Sequence, residues 1–279
     1  RTTLSRIDLN NTPTKIVLSS FTTFLESSPE THRFNGSSYQ ETPNNFAFAA
    51  LKNDGSVVTW GDSLYGGDSS SVAEDLASGV SQIFSNGLAF AALKNDGSVI
   101  TWGSWGYGGD SSSVADELSG DVSKIFTNKY AFAALKDDGS IVTWGNSFYG
   151  GDSTSVIDDI SSSVSQVFSS EYAFAALKDD GSVVTWGRAT HGGDSSSVAD
   201  VLTSGISQVF SSENVFAALK DDGSVVTWGR ATHGGDSSSV ADDLASGVSQ
   251  IHTGKYAFAA LKDNGSIVTW GYSIYGGDS

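Results

Sequence analysis

"AALKDDGSVVTWGRATHGGDSSSVAD" at Ala175–Asp200 recurs without a change at Ala217–Asp242, 42 residues further on. The step is general. Trp60, Trp102, Trp144, Trp186, Trp228 and Trp270 are all spaced by 42, each inside a version of "FAALKDDGSVVTWG". The Gly-Gly-Asp triplets ending at Asp68, Asp110, Asp152, Asp194, Asp236 and Asp278 keep the same step. A fixed period of this size is the mark of a repeat architecture, in which each unit needs its neighbours to bury its apolar faces.

One unit reads as three strands and a short helical piece. "AFAALK" and "SVVTW" are apolar runs joined by Asp-Asp-Gly or Asn-Asp-Gly, which supplies the positive φ of a tight hairpin. Both runs are apolar on both faces, as in sheets covered on both sides. "GGDSSSVAEDLASG" predicts a turn followed by one or two helical turns. Ser71 and Glu74 have capping-box spacing, Val72 and Leu76 share a face, and Gly79 ends the segment. "VSQIFS" is the third strand. The six tryptophans are the expected core, buried between neighbouring sheets.

The fold expected from this pattern is all-β: a β-propeller of 42-residue blades. Seven blades, the first degenerate, is the preferred count, and six blades or an open solenoid are the alternatives. Residues 1–45 diverge from the repeats at 46–279. Within them Leu25 precedes Phe34 by nine, as each hairpin Leu precedes its Trp, and Lys15–Leu18 reads as the upstream strand of that degenerate hairpin. A separate cap, or a strand donated to a neighbour, is the other reading of the segment.

At "ALKDDGSVVTWG" the Leu, Asp-Gly and Trp-Gly pattern resembles the signature of the regulator of chromosome condensation repeat family. It is similar to the bacterial short-repeat type, of which β-lactamase inhibitor protein II is a member. The resemblance covers Phe46 to Ser279, with Lys15–Gly36 as an extension. It implies a seven-bladed propeller whose loops bind another macromolecule. The unit here is shorter than the eukaryotic repeat and carries an inserted "GGDSSSVADDL". That departure sets the chain apart from the exchange-factor role of the eukaryotic members.

Composition narrows the function classes. The formal net charge of -17 disfavours binding to phosphate backbones or anionic lipid. The absence of cysteine removes disulfides, thiolate metal sites and cysteine nucleophiles together. No stretch is long and apolar enough for a membrane span. The chain opens at Arg1 and stops at "YGGDS" within a unit, and we read it as a piece of something longer.

Differences among the copies mark the candidate contact residues. The hairpins hardly vary, whereas two windows do: the four residues after Trp-Gly and the three before each hairpin. They supply Tyr65, Trp105, Tyr107, Tyr130, Tyr149, Tyr172, Arg188, His191, Arg230, His233, Tyr256 and Tyr275. Aromatic, Arg and His side chains on loops are typical of contact surfaces. Tolerated variation at exposed turns is the plainer account of the same pattern. Asp68, Asp110, Asp152, Asp194 and Asp236 are calcium candidates by chemistry, although an Asp followed by Ser is also an ordinary cap.

No Ser–His–Asp set, phosphate loop or cofactor motif is present, so the expectation is a non-enzyme without cofactor. Two functions fit. One is an extracellular or cell-surface structural and adhesive module, self-associating into an assembly or filament. The other is a propeller that recognises a protein or glycan through its loop face.

Overall fold

The computed structural model describes residues 15–17 and 44–278. Its strands form six three-stranded antiparallel sheets, one per repeat. Sheet I holds β1 (Lys15–Val17), β2 (Ala47–Leu51) and β3 (Val57–Gly61). Sheet II holds β4 (Val80–Ser85), β5 (Ala89–Lys94) and β6 (Val99–Gly103). Sheet III follows with β7 (Val122–Thr127), β8 (Ala131–Lys136) and β9 (Ile141–Gly145). Sheet IV comprises β10 (Val164–Ser169), β11 (Ala173–Lys178) and β12 (Val183–Gly187). Sheet V comprises β13 (Ile206–Ser211), β14 (Val215–Lys220) and β15 (Val225–Gly229). Sheet VI comprises β16 (Val248–Thr253), β17 (Ala257–Lys262) and β18 (Ile267–Gly271). The chain is all-β, built from repeated three-stranded antiparallel sheets.

Each hairpin is closed by the chemistry its sequence announces. In sheet IV the Gly181 N–H donates to the Lys178 carbonyl at 3.0 Å, and Gly181 takes φ +75°. Asp180 Oδ1 accepts from both the N–H and the hydroxyl of Ser182, which fixes the turn from the side-chain side. The first strand of sheets II to VI carries a bulge at a serine, where the register slips by one residue. In sheet II the extra residue is Ser81, whose hydroxyl donates to the Leu93 carbonyl at 2.9 Å.

Packing between sheets uses the tryptophans as expected, with one exception. Trp144 is 2% exposed, stacks on Phe132 of its own sheet at 5.1 Å and donates its indole N–H to the Gly108 carbonyl of the preceding repeat. Trp102, Trp186, Trp228 and Trp270 repeat the same bond to Gly66, Gly150, Gly192 and Gly234. Trp60 is only half-buried, because no described sheet precedes its own.

One expectation is corrected here. The "DSSSVAED" segment is not an α-helix with a Ser71–Glu74 capping box. It makes a 3₁₀ turn at Ser70–Val72 with Ser69 as N-cap, and only the segment between sheets V and VI adds a single α turn, α1 (Ala241–Leu244). The segment is too short for propagation, since Leu76 must reach the core within a few residues of the turn. There Leu76 is 2% exposed, and its N–H donates to the Val72 carbonyl at 3.0 Å. Lys15–Val17 forms a strand in the described residues. This strand pairs with β2, Ile16 opposite Ala50, in the register of Ile83 opposite Ala92 in sheet II. It is the first strand of sheet I, and the degenerate hairpin read at Leu25–Phe34 lies outside the described residues.

Candidate binding face

The two variable windows belong to loops at one end of the strands, opposite the Asp-Gly turns. A short buried polar residue places them. Asn128 is fully buried, and its Oδ1 accepts the backbone N–H groups of Tyr130 and Ala131. Its Nδ2 donates to the Tyr149 carbonyl at 2.5 Å, so one amide sets both windows of the repeat. Asn44 and Asn86 bond to the Tyr65 and Tyr107 carbonyls in the same way. In the fourth repeat Ser170 replaces the asparagine, its hydroxyl lying 3.1 Å from the His191 carbonyl.

The result is a continuous run of rings. Tyr130 lies 5.2 Å from Tyr107, 4.7 Å from Tyr149 and 5.8 Å from Tyr172. Tyr172 in turn lies 5.3 Å from Tyr149 and meets His191 edge-on at 4.9 Å. The windows therefore interleave into one ladder from the second repeat to the fourth. Asn214 stands where Tyr130 and Tyr172 stand in their repeats, and the ladder breaks there. A second group follows, with His233 at 4.7 Å from Tyr256 and Tyr256 at 4.9 Å from Tyr275. Tyr65 stacks on Phe46 at 4.4 Å.

Cations line the ladder. The Arg188 guanidinium sits 5.8 Å from the Tyr149 ring and 5.7 Å from Tyr172, and the Lys129 ammonium lies 5.7 Å from Tyr172. Lys129 pairs with Glu171, a carboxylate otherwise buried, and the backbone ties the same residues together. The Lys129 N–H donates to the Glu171 carbonyl, and the Glu171 N–H to the Glu213 carbonyl. Lys255 pairs with Glu213 at 3.4 Å. Burial opposes the charge on Lys129, but the hydrogen bond and charge of Glu171 outweigh it and hold its pKa above the ordinary lysine value. Burial, then the bond to Glu171, pushes the Tyr172 phenol up to about 12, so it stays neutral. Burial first, then the charges of Arg188 and Arg230, pulls His191 down to about 4. Arg230 contributes to the lowering of His233 in the same way, after burial.

Beside the ladder an open groove is lined by Ser147, Phe148, Tyr149, Gly187, Arg188 and Ala189. Phe148 is 79% exposed at its rim. Trp105 is also largely exposed, but its indole lies beside the Asp110 carboxylate and not in the ladder. The sequence reading did not single out Asn128, Lys129, Glu171, Phe46 or Phe148. The signal available for the first three was the window "NKY" against "SEY", whose Lys and Glu stand one period apart.

The aspartates of the Gly-Gly-Asp triplets act as local acceptors. Asp68 Oδ1 takes the Ser70 N–H at 2.9 Å, which holds its carboxyl below the usual range, and Asp110, Asp152, Asp194 and Asp236 do likewise with the residue two further on. Among the described residues no three His, Cys, Asp or Glu side chains converge to hold a cation. No helix among them is long and apolar enough to cross a membrane.

No family model matches the chain, and no curated protein matches it. Among solved structures it is similar to Prp20p from Saccharomyces cerevisiae, described with its binding properties to Gsp1p and histones. Identity is 17% over 82% of this chain and 70% of that one, with a TM-score of 0.47. Yeast RCC1 (Prp20) bound to Kap60 gives 18% identity, 82% and 69% coverage, and a TM-score of 0.44. Human WBSCR16 gives 18% identity over 66% of this chain and 59% of its own, with a TM-score of 0.40. The repeated three-strand sheets fit the RCC1-like repeat fold that the sequence motif resembles.

Proposed function

We propose that the chain is a non-catalytic module that binds a protein through the tyrosine ladder of its second to fourth repeats. The observation behind this reading is the convergence of Tyr107, Tyr130, Tyr149 and Tyr172 with Arg188 and Lys129 on one loop face. Tyrosine and arginine on a rigid scaffold supply large contact area at low entropy cost. The rings lie 4.7–5.8 Å from one another, so each covers part of its neighbours and little open ring face remains for a sugar to stack upon. Glu171 and Glu213 offset Lys129 and Lys255, and Arg188 and Arg230 leave this face positive on a chain whose net charge is -17. That contrast fits a partner presenting carboxylates next to apolar side chains. An extracellular, structural setting, suggested by repetition and acidity, belongs to the same proposal.

The test is selection of a displayed peptide library on the wild type, followed by rebinding to Tyr130→Ser/Tyr172→Ser and to Asp138→Ala. Asp138 lies in the hairpin turn at the other end of the strands. The reading requires acidic, apolar peptides that lose binding to the double tyrosine variant and keep it to Asp138→Ala. Peptides indifferent to the tyrosines, or ligands found only on a glycan panel, would replace it.

A further inference from the structure

The aromatic ladder breaks at a single residue in the middle of the array. Counting by 42, Asn214 takes the place held by Tyr130, Tyr172 and Tyr256. Tyr172 meets Tyr130, Tyr149 and His191 at 5.8, 5.3 and 4.9 Å. One period on, a ring at position 214 would meet Tyr172, His191 and His233. Asn214 is instead a short amide, 4% exposed, whose backbone carbonyl accepts the Arg230 N–H at 3.0 Å. The rings on either side remain: Tyr172 with His191 before the break, and Tyr256 with His233 after it.

Cations face the same place. Arg188 and Arg230 open identical Arg-Ala-Thr-His loops one period apart, and both residues are exposed. Neither makes an ion pair among the described residues, unlike Lys129 with Glu171 and Lys255 with Glu213. Burial first, and then the charges of Arg188 and Arg230, lower the His191 pKa, so both guanidiniums stand near that ring. Glu213 is the carboxylate that acts on both histidines, and it is already paired with Lys255. The Arg188 guanidinium also lies by the Tyr149 and Tyr172 rings. A guanidinium held against ring faces keeps its N–H edge for a pair of in-plane bonds to an oxyanion.

Buried hydroxyls mark the same loop. Three buried side-chain hydroxyls have no partner among the described residues, and two of them, on Ser211 and Ser212, belong to the turn that carries Asn214. Their equivalents elsewhere are satisfied. Ser85 donates to the Ala89 carbonyl, and the Ser170 hydroxyl lies 3.1 Å from the His191 carbonyl. Unpartnered buried polar groups are costly, and their concentration at the break argues against loop packing as its only purpose.

We propose that the break at Asn214 is a binding pocket for an aromatic ring carrying an oxyanion ester, an aryl phosphate or aryl sulfate. The ring takes the position that a tyrosine fills in the neighbouring repeats, between Tyr172 and Tyr256. The oxyanion lies on Arg188 and Arg230. The inference rests on the reading of this loop face as the binding face, and it names a group that the partner presents there.

The experiment is isothermal titration of the full chain with phenyl phosphate, phenyl sulfate and inorganic phosphate, at a pH where the phosphates carry close to two charges. Phenyl phosphate should bind about tenfold tighter than inorganic phosphate, because its ring contacts add to the charge. It should also lead phenyl sulfate, since two unpaired guanidiniums match two negative charges; the reverse order would assign the pocket to sulfate esters. Arg188→Gln/Arg230→Gln should weaken binding by roughly tenfold or more. Asn214→Tyr, which restores the ladder ring and leaves every charge in place, should abolish it. Lys178→Gln removes a charge at the hairpin end of sheet IV and should bind as the wild type does. Circular dichroism confirms that the variants stay folded, and Asn214→Tyr and the arginine variant decide independently if one does not. A wild type that binds no aryl ester overturns the proposal. So does inorganic phosphate binding as tightly as phenyl phosphate, or an affinity unchanged in Asn214→Tyr. In each of those cases the requirement of selected peptides for Tyr130 and Tyr172 is untouched, so the two readings fail separately.

Discussion

Replacing Trp144 by alanine tests the packing account, because the same substitution at Trp60 is predicted to cost much less. Trp144 is 2% exposed, stacks on Phe132 at 5.1 Å and donates to the Gly108 carbonyl at 3.2 Å. Truncating a buried aromatic of this size costs about 3–5 kcal/mol. The carbonyl left without its donor adds roughly 1 kcal/mol. Trp60 has the same sequence neighbours and the same stacked phenylalanine at 5.3 Å, but it is only half-buried, and no bond from its indole to a preceding repeat is found among the described residues. Its loss should cost only about 1–2 kcal/mol of buried area. Trp144→Phe separates the contributions, since it keeps most of the ring and removes the donor, for about 1–2 kcal/mol. Urea unfolding followed by far-ultraviolet circular dichroism reads all three, in dilute low-salt solution. An array coupled only between neighbours should also show a smaller m-value for Trp144→Ala, as sheets I and II part from the rest before they unfold. Equal losses at Trp60 and Trp144 would refute the claim that burial is set by the preceding sheet.

Further predictions follow from the same geometry. Gly108→Ala should destabilise far more than Gly276→Ala: both glycines have positive φ, +100° and +89°, but only at Gly108 would the Cβ come within 2.6 Å of a Phe132 carbon. The difference between the two is the contact alone, and equal melting temperatures would contradict it. Lys129→Met leaves the buried Glu171 carboxylate unpaired and should cost about 1–3 kcal/mol, with Lys129→Met/Glu171→Gln recovering part of it in a double-mutant cycle. His191 is held neutral in the folded chain, its pKa lowered from 6.5 to about 4. Stability should therefore be full above pH 6.5, fall as pH drops from 6.5 to about 4 while the unfolded chain takes up the proton first, and level off below. Solvent at the edge of the site screens the cations beside it, so the loss amounts to about 1 kcal/mol. His191→Gln should flatten the part of the profile that His191 contributes, and an unaltered profile would contradict the assignment.

What could be read from the sequence was whatever the backbone itself dictates. Asp-Gly at Asp180-Gly181 needs a positive φ and found it. Trp144 and Phe132 are large enough that only an interface could hold them. What could not be read depends on neighbours in space. Trp60 carries the motif of the other tryptophans and differs only in what precedes it, which no local pattern records. Ser71 and Glu74 have capping-box spacing, yet Asp68 already accepts the Ser70 N–H and the turn starts as 3₁₀ two residues earlier, with Ser69 as its N-cap. Lys15–Val17 resembles the strand before a hairpin, and its pairing skips an insertion to reach Ala49–Leu51, a choice made by register. The variable windows were visible as candidates. Their interleaving was not, because it arises from Asn128 binding Tyr130 and Tyr149 at once, and a short buried amide leaves no periodic trace.

The most direct test of the functional account is the affinity, by isothermal titration, of the best selected peptide for the wild type and for Tyr130→Ser/Tyr172→Ser. The account predicts at least a thirtyfold loss, about 2 kcal/mol, as befits the centre of a contact surface. The melting temperature should change little, since both tyrosines lie at the surface end of their loops and not between sheets. An affinity unchanged in the double variant would contradict the account, and the ladder would then be packing between loops with no partner to hold.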